Sequence, residues 1–374
     1  MAQPVQATTF DLDVGLYLDI ESQLALLSPF DIPYQGGQGA DGKSALTTGS
    51  VFEKEYAWLD EELLTPRSTL EEAGFDNIET DLTVATGHGA RFGIGDLIVL
   101  EAEEMRVTAV AGDVLTVTRG VAGTSAAAHA QGVDVVGVGK ALPEGSDPED
   151  PRFIDRVRRF NYTEIFGPEA VRTSATEQVV KKYGIEGTTE HDHQVANRLK
   201  EIAIGVEQAL ALGRRFEDTG ANWRGMGGLA EFNTVNVDSS TATLTETALL
   251  DALQLTFEQG GMPDRATVSP KQKRTASAFN TAIQIRVDRL DNGRGQVVES
   301  FDSDFGRISL LLNRWYRDSD VDIFAREQAE IVTLRPIVYE TLAKTGDSVH
   351  GQVVGEKGFK FRRASHAFRF TALT

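Results

Sequence analysis

Residues Gly37-Gln38-Gly39-Ala40-Asp41-Gly42-Lys43-Ser44 have the spacing of a P-loop, and Gly37, Gly39 and Gly42 also fit a dinucleotide-binding pattern. Both chemistries need backbone N–H groups that converge on phosphate, which requires a buried strand before the glycines and a helix after them. The preceding Ser28-Pro29-Phe30-Asp31-Ile32-Pro33 is broken by two prolines, and the following Thr47-Thr48-Gly49-Ser50 is a poor helix start. No nucleotide site is expected, although Gly42-Lys43-Ser44 leaves a nucleotide-binding enzyme as one alternative.

Other chemical patterns also lack their partners. Asp304-Phe305-Gly306 has the form of a kinase metal-binding triplet but no accompanying His-Arg-Asp loop or Val-Ala-Ile-Lys strand, so a turn is expected. Lys344-Thr345-Gly346 has the form of a penicillin-binding motif, yet no serine has a lysine three residues on. Asp318, Asp320 and Asp322 begin like a calcium loop. Ile323 stands where glycine is needed and Ala329 where the bidentate glutamate belongs, which leaves a solvated acidic turn. His191 and His193, two apart, point in different directions on a helix, and His88, His129, His350 and His366 are scattered. No catalytic residue, cofactor site or metal site is therefore expected.

Composition narrows the class further. Hydrophobic residues make up 41% and charged residues 25%, which suits a folded globular chain rather than a disordered one. Lys plus Arg number 37 against 56 Asp plus Glu, and the resulting formal charge of −19 repels phosphate backbones. The absence of cysteine removes disulfides, thiolate nucleophiles and the commonest structural zinc sites, so stability must come from packing and assembly. No window approaches 18 consecutive apolar residues, and Met1-Ala2-Gln3-Pro4 opens neither a basic nor an apolar run. No membrane partner is expected, and the chain is expected to stay in the cytoplasm.

The elements that would position any site follow from periodicity. Residues 1 to about 50 mix short apolar clusters, Leu24, Leu26, Leu27 and Phe30, with a glycine-rich stretch, and fit an arm lying on another surface. From Asp81 to Val138, runs such as Leu97–Leu100, Met105–Val110, Val114–Thr118 and Val133–Val136 are separated by Gly95-Asp96 and Gly112-Asp113 turns. They predict a compact β barrel or sandwich, closed by the acidic linker Glu144–Pro151. Its polar turn Gly87-His88-Gly89 is expected to tolerate insertion. A helix is predicted over Thr189–Leu212, about 36 Å long, ending at Gly213, Arg214 and Arg215. Val195, Leu199, Ile202 and Val206 form its expected buried stripe, with Lys200 and Glu207 off it. Mixed elements follow: helices near Thr245–Gln259 and Lys271–Phe279, and strands near Val297–Phe301, Ile308–Asn313 and Ile331–Leu334. Alternating Phe359, Phe361, Phe368 and Phe370 close the chain.

The order of these parts resembles the major head proteins of tailed bacteriophages with the Hong Kong 97-like fold, in the group that carries a β-rich insertion in its extended loop. The resemblance rests on Phe52-Glu53-Lys54-Glu55-Tyr56-Ala57-Trp58-Leu59-Asp60, the module from Gly95-Asp96 to Thr118-Arg119-Gly120, and Asn161-Tyr162-Thr163-Glu164-Ile165-Phe166. It continues through the long helix, Ser300–Gly306, Leu342–Asp347 and Ala364-Ser365-His366-Ala367-Phe368. It implies an α+β fold with an N-terminal arm over 1–50, extended-loop arms over 51–66 and 158–180, and an insertion domain with linkers over 67–157. A peripheral domain built on the long spine helix would take 181–217 and 336–374, and an axial domain 218–335. It also implies hexamers and pentamers of an icosahedral head enclosing double-stranded DNA that is contacted weakly and without sequence specificity. The N-terminus carries no long charged helical segment to serve as a fused scaffold, so a separate scaffolding protein, or none, is implied, and a portal and a decoration protein would be further partners. Localisation would be the virion capsid, assembled in the host cytoplasm. Residues 81–138 alone would also suit a β-rich tail or adhesion protein.

Replacing Lys43 by Ala is expected to leave assembly and any response to nucleotide unchanged. Saturable ATP binding that disappears with this substitution would restore the enzyme alternative.

Overall fold

The computed structural model describes residues 30–36, 43–61, 63, 65–140, 144–145, 156–173, 190–279, 300–343 and 349–374. Residues 1–29 and 37–42 of the expected arm, Lys344-Thr345-Gly346 and the linker residues 146–151 lie outside them. The chain divides into two compact units, residues 1–58 with 159–374, and residues 59–158.

Among its described residues the first unit holds a four-stranded and a six-stranded sheet besides a short two-stranded one. A four-stranded sheet runs in the order Thr47–Ser50, Ala329–Thr341, Val349–Phe361, Glu164–Thr173, with only the first pairing parallel. The spine helix, Glu190–Leu212, packs on it and buries Ile202, Val206 and Leu210 among Ile331, Val353, Phe359 and Phe361. The helix stops where Gly213 meets a second glycine segment. A Cβ on Gly213 would lie 2.6 Å from the carbonyl oxygen of Met226 and 2.5 Å from that of Ala209. Only glycine allows that approach.

A six-stranded sheet runs in the order Val237–Asp238, Phe368–Phe370, Val321–Phe324, Arg265–Val268, Gly306–Leu312, Ser300–Ser303. Helix Glu246–Glu258 starts at Thr245, whose hydroxyl accepts from the amide of Ala248, and turns Leu249, Ala252, Leu253 and Thr256 inward. Helix Pro270–Ser277 starts at Ser269 with proline in its first turn, where the missing N–H costs nothing. The strand period of two lets Val321–Phe324 serve both cores: Ile323 packs into the second and Phe324 into the first. Asp304-Phe305-Gly306 is a turn between two paired strands, as expected.

Among its described residues the second unit is built of strands joined by turns and two short 3-10 segments, Gly89–Arg91 and Val121–Gly123. Its six strands run in the order Arg67–Thr69, Asp134–Lys140, Asp96–Leu100, Glu103–Ala111, Val114–Thr118, Asp81–Thr83, every pairing antiparallel. A bridge between Leu70 and Val84 joins the two end strands, so the sheet closes into a barrel around Leu82, Ile98, Leu100, Met105, Val107 and Leu115. At one end Glu103 is buried and accepts from Arg119 at 2.7 and 2.9 Å, from the Ala127 amide at 2.9 Å, and contacts His129 Nε2 at 3.1 Å. Burial alone would raise its carboxyl pKa, but these partners reverse the effect and hold it at about 2. The Arg119 guanidinium also covers the Phe75 ring at 4.3 Å. His129, isolated in the sequence, is thus one part of a buried structural network.

Two expectations need correction. The amides of Gly87 and Gly89 both donate to the Asp113 carboxylate at 3.0 Å, and a Cβ on Gly89 would lie 1.8 Å from the Gly112 carbonyl oxygen. That turn is built rather than loose, which argues against insertion there. On the spine helix, Ile202 and Val206 are buried and Val195 is half-buried against the core, but Leu199 is 37% exposed. Its angular position suits the stripe, yet the sheet does not cover it.

Ile202→Ala is expected to cost about 2–5 kcal/mol through lost transfer energy and a residual cavity. Leu199→Ala should cost less than about 1 kcal/mol in the unassembled chain. Urea unfolding midpoints of the two variants measured side by side check the ordering, and equal losses would contradict this packing.

Candidate functional site

The segments expected as arm and extended loop are each tied to the packed body by buried polar contacts. The arm segment Pro33–Gly36 is a single helical turn seated on the spine helix. Its anchor is Glu207, which is fully buried. One carboxylate oxygen accepts from the Tyr34 amide at 2.8 Å and from Asn313 Nδ2 at 3.1 Å; the other accepts from Gln35 Nε2 at 3.3 Å. Gln35 also donates to the Ala203 carbonyl at 2.7 Å, the Tyr34 hydroxyl to Thr267 at 3.0 Å, and Trp315 Nε1 to the Asp31 carbonyl at 2.9 Å.

Burial raises the Glu207 carboxyl to about 7; bonds from Tyr34 and Gln35 pull it down only in part, and the nearby Asp31 charge pushes it up. The same burial lowers the Lys357 ammonium, which reaches Gln35 Oε1 at 3.4 Å and is favoured by Glu207. Glu207 therefore does not lie off the packed face, as the stripe predicts. It sits beside Val206 on a flank that the arm and Asn313 cover, and those partners are remote in sequence.

Where the extended loop is expected, a two-stranded ribbon pairs Glu55–Glu61 with Arg156–Tyr162. Its root is fixed on Phe359. The Tyr56 hydroxyl accepts from the Phe359 amide at 2.7 Å and donates to its carbonyl at 2.8 Å, and Asn161 Nδ2 donates to that carbonyl at 2.7 Å. Asn161 also exchanges two bonds with Gly227, each 2.9 Å. Beside it Glu356 accepts from Thr163, Arg224 and Arg335. Burial opposes charge on Glu356, but these three donors hold its carboxyl below the usual range. Further along, Leu59 and Val157 are 60% and 51% exposed, and a ribbon of two strands is marginal on its own.

The motif residues do not assemble into chemistry. Gly37–Gly42 lie outside the described residues; Lys43 is exposed, and strand Thr47–Ser50 follows where a P-loop needs a helix. Asp320 and Asp322 are buried rather than solvated: Arg369 binds Asp320, and Asn233 donates to Asp322 at 2.6 Å. Burial raises the Asp322 carboxyl to about 7, against the pull of Arg369 and Asn233. His191 sits in the first turn of the spine helix with its Nε2 2.6 Å from the Tyr339 hydroxyl, and His193 meets Asn197 at 3.1 Å. Among the described residues no group of His, Cys, Asp and Glu could hold a metal ion.

The structure is similar to the capsid of a native GTA particle, at 9% identity and a TM-score of 0.54, covering 98% of each chain. It is similar to the capsid of Cyanophage P-SCSP1u, at 9% identity and 0.52, covering 99% of this chain and 96% of that one. It is also similar to a Mycobacterium phage Bobi structure, at 12% identity and 0.51, covering 97% and 98%. At such identities the likeness defines the Hong Kong 97-like fold alone. The sequence itself matches the SU10 major capsid protein family over residues 3–374, and the chain belongs to that family. No curated protein matches it. It is a structural protein of the virion, not an enzyme, and it associates with copies of itself.

The Glu207 carboxyl predicts a pH dependence. Its folded pKa of about 7 lies above its ordinary value, so the unfolded chain gives up the proton first and stability falls as pH rises from about 4.5 to about 7. The loss from this group is on the order of 3 kcal/mol. Glu207→Gln should remove that part of the slope. Unfolding free energies of parent and variant at pH 5 and pH 8 check it, and parallel pH profiles would contradict it.

Proposed function

We propose that this chain builds the head as hexamers and pentamers that close an icosahedral shell around double-stranded DNA. On this reading residues 181–217 and 336–374 are the peripheral domain, 218–335 the axial domain, 1–50 the arm, and 51–66 with 158–180 the extended-loop arms. Residues 67–157 are an insertion displayed on the outside of the shell. Val195, Ile202 and Val206 belong to the peripheral core that carries the spine helix.

The observation that carries this reading is the ribbon. Its root is fixed by Tyr56 and Asn161 on Phe359, while its far part exposes Leu59 and Val157. A rigid root and an uncovered apolar extension suit an element that lies over the next subunit in a ring. Many modest contacts of this kind add to a stable closed assembly without any one being strong. The formal charge of −19 suits a container wall that leaves its DNA free. A separate scaffolding protein, a portal and a decoration protein are partners of this reading, and the host cytoplasm is its place of assembly.

Electron microscopy of the full chain, expressed with its accessory head proteins, is expected to show closed shells with fivefold and sixfold rings. Tubes or fibres as the sole product would overturn the proposal. Density for residues 67–157 on the inner face would overturn the outward placement of the insertion.

A further inference from the structure

The cleft at the C-terminal end of the spine helix carries charge opposite to that of the protein as a whole. It encloses about 430 Å³, and its lining includes Arg214, Arg215, Arg317 and Arg369 against one carboxylate, Glu231. Two of the arginines are fixed walls. Arg215 donates to the Phe160 carbonyl at 2.7 Å, lies 4.1 Å over the Phe160 ring, and approaches Glu231 at 3.7 Å. Arg369, buried, donates to the Ala230 carbonyl and to Asp320. The other two are presented. Arg317 approaches Asp320 only at 3.9 Å with its side chain half-exposed, and Arg214 is exposed with no ion pair among the described residues.

Interaction with the helix dipole accounts for Arg214 and Arg215, which follow the last turn. It does not account for Arg317 or Arg369, which come from other elements. Immediately after Arg215 the chain enters the hairpin of Phe216–Asp218 and Trp223–Gly225. The rings of Phe216 and Trp223 stack edge to face at 5.1 Å and remain 42% and 59% exposed. Arginine and large aromatics together are the composition of protein interface cores. A DNA backbone would need a track of cations on an open surface, whereas this is one recess in a chain of formal charge −19.

We propose that this cleft receives a carboxylate side chain from a second copy of the chain during assembly. Planar guanidiniums bind carboxylates in a bidentate fashion, and a chain with 56 acidic residues has carboxylates to offer. The proposal rests on the shell reading above.

The test is a pair of charge reversals in the full chain, in the preparation where the parent forms particles. Arg214→Glu with Arg317→Glu should lower particle yield at least tenfold while the unassembled chain keeps its melting temperature. Lys271→Glu with Arg274→Glu, an equal charge change on the helix Pro270–Ser277, should leave the yield near that of the parent. If the cleft reversal does not fold, Arg214→Gln with Arg317→Gln replaces it and should weaken assembly in the same direction. Parental yield from the cleft variants, or an equal loss from the control pair, overturns the inference while leaving the shell reading intact. Normal yield with loss of packaged DNA would assign the cleft to phosphate instead and overturns it as well. Failure of the parent to form shells would count against the shell reading itself.

Discussion

At Phe359 the strand Val349–Phe361 has run past its pairing with Glu164–Thr173, which ends at Lys357. Its amide and carbonyl would face a buried position without a ladder partner, a penalty of about 1–3 kcal/mol for each group left unsatisfied. Tyr56 and Asn161 remove it from opposite strands of the ribbon, and in doing so they fix where the ribbon leaves the sheet. The Phe359 ring meanwhile packs beside Phe361 and Phe232 under the spine helix. One residue therefore joins the core, the sheet and the element that extends beyond them. Its backbone satisfaction depends on the ribbon being present.

A similar economy operates at the arm. Glu207 replaces what would otherwise be another apolar residue on the helix flank, and its buried carboxyl is stable only while Tyr34, Gln35 and Asn313 surround it. Asp320 and Asp322 play a comparable part in the second sheet, held by Arg369 and Asn233. In a chain without cysteine, such buried polar contacts supply specificity where disulfides are not available, and each joins segments far apart in sequence. They make the packing directional. Apolar contacts alone would not select where a short arm segment must sit.

Much of the fold was legible because it follows from local rules. The threefold and fourfold spacing of the spine helix and the Gly-Asp turns between β runs each act within a few residues. The structure places the spine helix at Glu190–Leu212 and central strands of the barrel at Asp96–Leu100 and Val114–Thr118. What was not legible depends on partners that no window contains. Glu207 meets Tyr34 across 173 positions, and Arg119 meets Glu103 and Phe75 only once the barrel has closed. Leu199 shows the converse limit: periodicity gives the direction of a side chain, not whether anything covers it. The aspartates at 320 and 322 look like a solvated turn because their neutralising arginine lies nearly fifty residues away.

The closure of the barrel has a consequence that grows with copy number. An open β edge is a template for any other strand, and a shell displays the same surface many times at fixed, close spacing. Joining Arg67–Thr69 to Asp81–Thr83 through Leu70 and Val84 leaves this sheet with paired end strands. If the barrel faces outward as proposed, shells that meet in a crowded lysate would find its described end strands already paired, and particles could remain separate without relying on charge alone.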